Sequence, residues 1–137
     1  MEMIQTFAPR VYGVNEVNRN IETKLGLWDW PITFSQAQKV VNWYCAYYDL
    51  PSIRISVGRG WKRKGIYIPA CADWKSNTSA RIKIDPTGFV LAVPVHEIAH
   101  HYEKCVFLRA SHGPMFKKAH RMMLDNVSEM AEELSLV

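Results

Sequence analysis

The stretch VLAVPVHEIAH, residues 90–100, decides the fold, because it joins an apolar run to two histidines four positions apart. In a helix, positions i and i+4 lie on one face, one turn apart, so His96 and His100 point in the same direction. Two imidazoles in this arrangement can bind one metal ion, and Glu97 projects beside them. We therefore predict a helix over 89–108 that carries a metal site.

The start of this helix is less sharply defined than its centre. Pro94 suits the first turn of a helix, where its missing N–H costs nothing, but it would kink a longer helix. We expect the helix to begin between positions 88 and 94.

The residue types in this stretch favour zinc and a hydrolytic reaction. Imidazole is a common zinc ligand, and catalytic zinc sites leave one coordination position to a water molecule. Zinc lowers the pKa of that water toward about 7, and a nearby carboxylate can take its proton as the water attacks a carbonyl carbon. We predict one zinc ion per chain, with His96 and His100 as ligands and Glu97 as the general base.

The third metal ligand must come from outside this helical turn. All five histidines lie within residues 96–120. We favour His112, because Gly113-Pro114 follows it, a pair that permits a tight turn and a helix start. His120 lies about two turns further on and is the rival, whereas His101 points about 100° away from its neighbour. Carboxylate alternatives are Glu103, Asp125 and Glu129.

The combination of HEIAH with His112-Gly113-Pro114-Met115-Phe116 resembles the SprT-like (Spartan) metalloprotease family, in which HExxH is followed by HGxxF. His112 follows His96 by sixteen residues. Residues 81–86 are also similar to the strand that precedes the active helix in that family, and the likeness covers about residues 35–124. The resemblance implies a minimal zincin-like domain that cleaves proteins crosslinked to DNA, with zinc ligands His96, His100 and His112 and general base Glu97.

One feature departs from that family. Some relatives carry a C-terminal zinc ribbon or a DNA-binding tail, whereas this chain ends in an acidic segment without cysteine pairs. We therefore expect any DNA contact to come from the catalytic domain itself.

Basic residues are concentrated in the middle of the chain. Residues 54–83 hold eight basic and one acidic residue, whereas the rest of the chain holds nine basic and twelve acidic residues. Trp61, Tyr67 and Trp74 interleave with the cations, which combines charges for phosphates with flat rings for bases. A solvated sheet face is the alternative interpretation. The predicted DNA-contacting residues are Arg59, Lys62, Arg63, Lys64 and Lys75.

Periodicity places a small sheet between helices. Apolar residues recur every three or four positions over 34–49, and Thr33 with Gln36 is typical of a capping box. Apolar and polar residues alternate in strands, and a basic turn over 61–64 separates the first two. The predicted strands are 53–57, 66–69 and 81–85, and the later helices are 114–124 and 126–136. This order predicts an α+β domain, with a small, mainly antiparallel sheet packed against the active-site helix and further helices.

Length and composition limit the class of protein. With 137 residues, 48% apolar and 22% charged, the chain suits a single globular domain. We predict an irregular N-terminal arm over 1–32, with a short helix around 15–25, and a metalloprotease domain over 33–137. Three widely spaced cysteines exclude a zinc ribbon or a disulfide framework.

No apolar run approaches the roughly 18–20 residues of a membrane helix, and no secretory signal is evident. We expect a cytoplasmic monomer without a membrane partner.

These observations lead to two functional hypotheses. The first is a zinc-dependent endopeptidase, a hydrolase of DNA repair, whose protein substrate is bound or crosslinked to DNA and lies along an exposed sheet edge. Glu97 assists the attack of zinc-bound water, and Tyr67, Tyr102 and His120 are candidates to stabilise the oxyanion. The alternative is a non-catalytic nucleic-acid-binding module with structural zinc, in which His120 or Cys105 completes the ligand shell. A zinc hydrolase of cell-wall peptide amides is a variant that the basic segment and the absent signal disfavour.

Overall fold

The computed structural model describes residues 14–58, 61–63, 66–68, 70–74, 80–108 and 112–137. Within these ranges the chain forms a helix-dominated mixed α and β fold, in agreement with the predicted class. The helices are α1 (Glu16–Leu25), α2 (Phe34–Tyr47), α3 (Ala92–Phe107), α4 (Pro114–Asp125) and α5 (Val127–Glu133). The strands are β1 (Arg54–Val57), β2 (Trp61–Arg63), β3 (Ile66–Ile68), β4 (Ala70–Trp74) and β5 (Ala80–Ile84).

Three of the strands form one sheet in the order β1-β5-β4. Strand β5 pairs with β1 in parallel and with β4 in antiparallel orientation, while β2 and β3 form a separate antiparallel pair. A mainly antiparallel sheet is therefore not confirmed, because the central strand has a parallel neighbour. Parallel strands need a long connection, and the segment that contains β2, β3 and β4 provides it.

Two strands differ from the sequence prediction. Residues 61–64 were expected to form a basic turn, yet Trp61–Arg63 is strand β2, paired with β3. Strand β4 was not predicted at all, because the sequence ACADW lacks an alternation of large apolar and polar residues. Pairing with β5 supplies the hydrogen bonds that hold β4, and such pairing overrides weak local preference.

Helix α2 begins as predicted and ends two residues earlier. The Thr33 hydroxyl accepts a hydrogen bond from the backbone N–H of Gln36 at 3.0 Å, and the Gln36 side chain accepts one from the Thr33 N–H at 2.8 Å. This confirms the predicted capping box. The apolar stripe of the helix is buried, with Ala37, Val40, Val41, Tyr44 and Cys45 in the core.

The segment predicted as an irregular arm contains regular structure in its described part, residues 14–32. The short helix expected near 15–25 is α1, and a 3₁₀ turn over Leu27–Asp29 follows it, whereas residues 1–13 lie outside the described part. Gly26 joins the two with a positive φ of 69°, a conformation that favours glycine. The buried side chains of α1 are Asn18 and Glu22, so hydrophobic periodicity gave little signal for this helix.

Helix α3 runs through the centre of the molecule. It begins at Ala92, inside the predicted window, with Pro94 in its first turn. Every residue from 91 to 99 is buried. The helix contacts α2, α4 and β4, so side chains on several of its faces are enclosed. Among the helices of the described residues, none combines the length and apolar character needed to cross a membrane.

Candidate metal centre

Three histidines from two segments converge beside α3. His96 and His100 come from this helix, and His112 lies just before α4. One ring nitrogen of each lies within 4.8 Å of those of the other two, and Nε2 of His100 is 3.1 Å from Nε2 of His112. Two nitrogens bound to one tetrahedral zinc at about 2.0–2.1 Å lie about 3.3–3.4 Å apart. The structure therefore brings the three predicted ligands into a spacing that suits zinc.

The turn before α4 accounts for this convergence. Gly113 is in extended conformation and Pro114 is the first residue of α4, so the chain turns back along α3. Phe116 is fully buried, and its ring centre lies 4.1 Å from that of His100, 4.9 Å from that of His96 and 5.1 Å from that of His112. This ring therefore contacts all three imidazoles.

Burial decreases across the three histidines toward the surface. His96 is fully buried, the His100 side chain is 11% exposed and His112 is exposed. Within the described residues, the cluster therefore reaches the surface at His112.

The imidazoles of the cluster are held in their neutral form. Loss of hydration lowers the pKa of His96 well below its ordinary value, and the neighbouring histidines lower it further. Burial, followed by the charges of His112 and His120, lowers the pKa of His100 to about 3, and burial also lowers the pKa of His112. A neutral imidazole offers the lone pair that metal binding requires.

Glu97 is a buried carboxylate next to the first ligand. Its side chain is only 2% exposed, and its position on α3 is rotated about 100° from that of His96. Carboxylates are rarely buried so completely unless they have partners or a function. The location is consistent with the predicted general base.

His120, the rival third ligand, is turned toward α1. Its Nδ1 lies 3.4 Å from Nδ2 of Asn18, and its Nε2 lies 3.3 Å from Oε2 of Glu22. The other oxygen of Glu22 accepts a hydrogen bond from Nε1 of Trp28 at 2.9 Å. Both ring nitrogens of His120 therefore face α1 side chains, and its ring packs 5.2 Å from that of His96. This polar cluster was not predicted from the sequence, because its members come from segments about a hundred residues apart.

The carboxylate alternatives do not join the three histidines. Asp125 is exposed and pairs with Arg121, and Glu129 is exposed on α5. Glu103 is buried, but its Oε1 lies 3.5 Å from Nδ1 of His100, the nitrogen on the other side of the ring from His112. Within the described residues, the three histidines are the single group of at least three such side chains spaced to hold a metal ion.

The remaining candidates lie elsewhere or outside the description. The sulfur of Cys105 is 3.8 Å from Nδ1 of His101, whose Nε2 donates a hydrogen bond to the Pro51 carbonyl at 2.8 Å. Tyr102 packs its ring against Tyr48 at 5.5 Å. The side chain of Tyr67, another oxyanion candidate, lies outside the described residues.

The predicted DNA-contacting residues fall largely outside the description. Arg59, Lys64 and Lys75 are not among the described residues, and Lys62 and Arg63 are described only as backbone positions of β2.

Other cations of the basic segment are described, and they share one sheet face. Arg54 lies opposite Arg81 in the β1–β5 register, and both are exposed together with Lys83. Their neighbours Ile55 and Ile82 are buried, which confirms the predicted alternation of an exposed basic face and a buried face at these positions. Val57 departs from the alternation, because it is 56% exposed at the end of β1.

A scan against protein-family models, a search of curated proteins and a search of solved structures each gave no match to this chain. The resemblance to SprT-like metalloproteases therefore rests on the two histidine motifs.

Proposed function

We propose that this protein is a zinc-dependent endopeptidase with His96, His100 and His112 as metal ligands and Glu97 as general base. The observation that carries the proposal is the convergence of three imidazoles, from two segments of the chain, beside a buried carboxylate. Zinc bound by these residues would supply a Lewis acid that polarises a scissile carbonyl and lowers the pKa of a water molecule.

The chain's own side chains supply the proton transfers and the orientation of the site. Glu97 accepts the proton of the attacking water and delivers it to the leaving amine, which is the usual work of a positioned carboxylate. Glu97 and His96 are buried and therefore shielded from bulk water. Electrostatic interactions between charged groups are stronger in such surroundings than in water. Phe116 restricts the ligand rings to one orientation through its contacts with all three.

An extended peptide fits best along strand β4. Among the described strands, β4 pairs only with β5, so its outer edge can accept another strand. This strand also contacts the active-site helix α3, whereas the opposite edge strand, β1, contacts α2. Strand addition gives affinity through main-chain hydrogen bonds with little dependence on sequence, which suits an enzyme that cleaves varied proteins.

A DNA-bound or DNA-crosslinked protein is the substrate class that the charge distribution favours. Arg54, Arg81 and Lys83 project from one exposed sheet face and are suited to phosphate contacts. They belong to the same basic segment, residues 54–83, as the predicted DNA-contacting residues.

The alternative of a structural zinc site has less support. A structural site is closed by four protein ligands. The ring nitrogens of His120 face α1, and the sulfur of Cys105 faces His101. Neither residue lies in the group of three histidines, so the described arrangement favours an open site.

The metal centre is tested by zinc content per chain, measured by elemental mass spectrometry. We expect one zinc in the wild type and markedly less in His112→Ala. Lys117→Ala, an exposed change on α4, is the matched control and should retain one zinc. An unchanged zinc content in His112→Ala would overturn the ligand set.

The reaction is tested with Glu97→Gln, which removes the base and keeps the shape of the side chain. We expect zinc to be retained and cleavage of an unfolded protein substrate, with and without DNA, to fall by about 10²–10⁴-fold. Glu129→Gln, on the exposed face of α5, should cleave at the wild-type rate. Full activity of Glu97→Gln would rule out the proposed mechanism.

A further inference from the structure

A second buried carboxylate lies behind the middle ligand of the proposed metal centre. Glu103 follows His100 by three residues on α3, is fully buried, and places Oε1 3.5 Å from Nδ1 of His100. The other ring nitrogen of His100, Nε2, is the atom that lies 3.1 Å from Nε2 of His112. The carboxylate and the metal position therefore face opposite nitrogens of one imidazole.

This arrangement selects one tautomer of His100. An ionised carboxylate only accepts hydrogen bonds, so it favours a proton on the nitrogen that faces it. A neutral imidazole has a single ring proton, and a proton on Nδ1 leaves the lone pair on Nε2. That lone pair then points to the side where His112 lies.

The contacts of His100 also fix the rotation of its ring. Phe116 stacks on one face, with an interplanar angle of 20°, while Glu103 lies at the Nδ1 edge. A ring held at one face and one edge keeps little freedom to turn its Nε2 away from the cluster.

We propose that Glu103 is a positioning residue, which holds His100 in its Nδ1-protonated tautomer and directs Nε2 at the metal. The inference rests on the proposed zinc centre and extends it to a residue that neither histidine motif contains. It also replaces the earlier alternative in which Glu103 itself binds the metal. Carboxylates in this position behind a ligand histidine orient the ring and raise its basicity, and their loss costs about 10–100-fold in metal affinity or activity.

The chain offers a matched control for this test. Glu22 is also a fully buried carboxylate, and it lies 3.3 Å from Nε2 of a histidine, His120, that is not a proposed ligand. Replacing Glu22 disturbs a buried carboxylate–imidazole contact of the same kind without touching the ring of His100.

The first experiment measures the zinc dissociation constant by competition with a chelator. We expect Glu103→Ala to bind zinc about 10–100-fold more weakly than the wild type. Glu103→Gln keeps an acceptor oxygen and should therefore lose less zinc affinity than Glu103→Ala. It takes the place of the alanine variant in this experiment if that variant does not fold. Glu22→Ala should bind zinc within about twofold of the wild type. In a His100→Ala background, Glu103→Ala should cause no further loss, because its effect passes through that ring.

A second readout follows the tautomer directly. Nitrogen-15 NMR of the imidazoles should show His100 protonated at Nδ1 in the wild type and a mixture of tautomers in metal-free Glu103→Ala. Equal zinc affinity of wild type and Glu103→Ala, or an equal loss in the His100→Ala background, would overturn the role of Glu103 and leave the zinc centre standing. A wild type that binds no zinc would overturn the proposed function, and this inference with it.

Discussion

The imidazoles of His96 and His100 lie in the protein interior, where an imidazolium would be poorly hydrated, and this determines how the metal-free protein responds to acid. Burial is the leading cause of the lowered pKa values of His96, His100, His101 and His112 in the folded chain. In the unfolded chain, histidine titrates near its ordinary pKa of about 6.5. Below that pH the unfolded state binds more protons than the folded state, so the free energy of unfolding decreases as the pH falls.

We predict that the metal-free protein loses free energy of unfolding as the pH falls below about 6.5. Between pH 5 and 6, the slope of the free energy of unfolding against pH should correspond to about two protons bound on unfolding, from His96 and His100 alone. Urea unfolding in chelator at several pH values measures the slope, and His112→Asn should make it shallower. Stability that does not change between pH 5 and 7 would contradict the burial of neutral imidazoles.

At the scale of elements, buried polar contacts join α1 to α4. Nδ2 of Asn18 donates a hydrogen bond to the Lys117 carbonyl at 3.1 Å, and Glu22 contacts both His120 and Trp28. Glu22 and His120 are fully buried and Asn18 nearly so. These buried polar contacts therefore hold α1 against α4.

We predict that Glu22→Ala lowers the free energy of unfolding by about 3 kcal/mol, because it leaves the buried Trp28 donor without its acceptor and removes the carboxylate that lies beside the buried His120 ring. Urea unfolding of the metal-free protein at pH 7.5 measures the loss. Glu16→Ala, an exposed change on the same helix, should stay within about 0.5 kcal/mol of the wild type. A similar effect of the two substitutions would show that the polar cluster does not hold α1 in place.

The site was predictable from sequence to the extent that its geometry is local. The spacing of His96 and His100 is set by helix geometry, and Gly113-Pro114 marks the turn that returns His112 to them. The contacts of Asn18 and Glu22 with His120 join segments about a hundred residues apart and leave no local pattern. Hydrophobic periodicity does not reveal buried polar side chains of this kind, because they add nothing to an apolar repeat.

The fold was predictable where a cap or an alternation marks an element. The Thr33–Gln36 capping box placed the start of α2 correctly. The direction of strand pairing was not predictable, because side chains alternate with a period of two in parallel and antiparallel strands alike. Strand β4 depends on its partner β5 for hydrogen bonds, so its own residues gave no signal.

At the scale of the whole molecule, the charge is divided unequally between segments. Residues 54–83 contain eight of the 17 basic residues and one of the 13 acidic residues. On strands β1 and β5, isoleucines fill the buried face and cations occupy the exposed face. An uneven charge distribution of this kind is the usual basis on which a protein surface attracts a polyanion.

We predict that the protein binds double-stranded DNA with an affinity that falls steeply with salt, and that Arg54→Glu with Arg81→Glu weakens this binding. Each lost phosphate contact reduces the slope of log affinity against log salt concentration by about 0.9. The slope of the double variant should therefore be smaller by nearly two. Fluorescence anisotropy with a labelled duplex over a range of salt concentrations measures the slope.

The control for this prediction is Lys24→Glu with Lys118→Glu, which makes the same change in net charge at exposed positions on α1 and α4. It should weaken binding less and leave the slope nearly unchanged, because those side chains are not on the sheet face. Equal weakening by the two double variants would mean that net charge, and not the β1–β5 face, governs binding. A wild type without DNA affinity at low salt would remove DNA from the proposed substrate class, while cleavage of free protein would still test the metal centre.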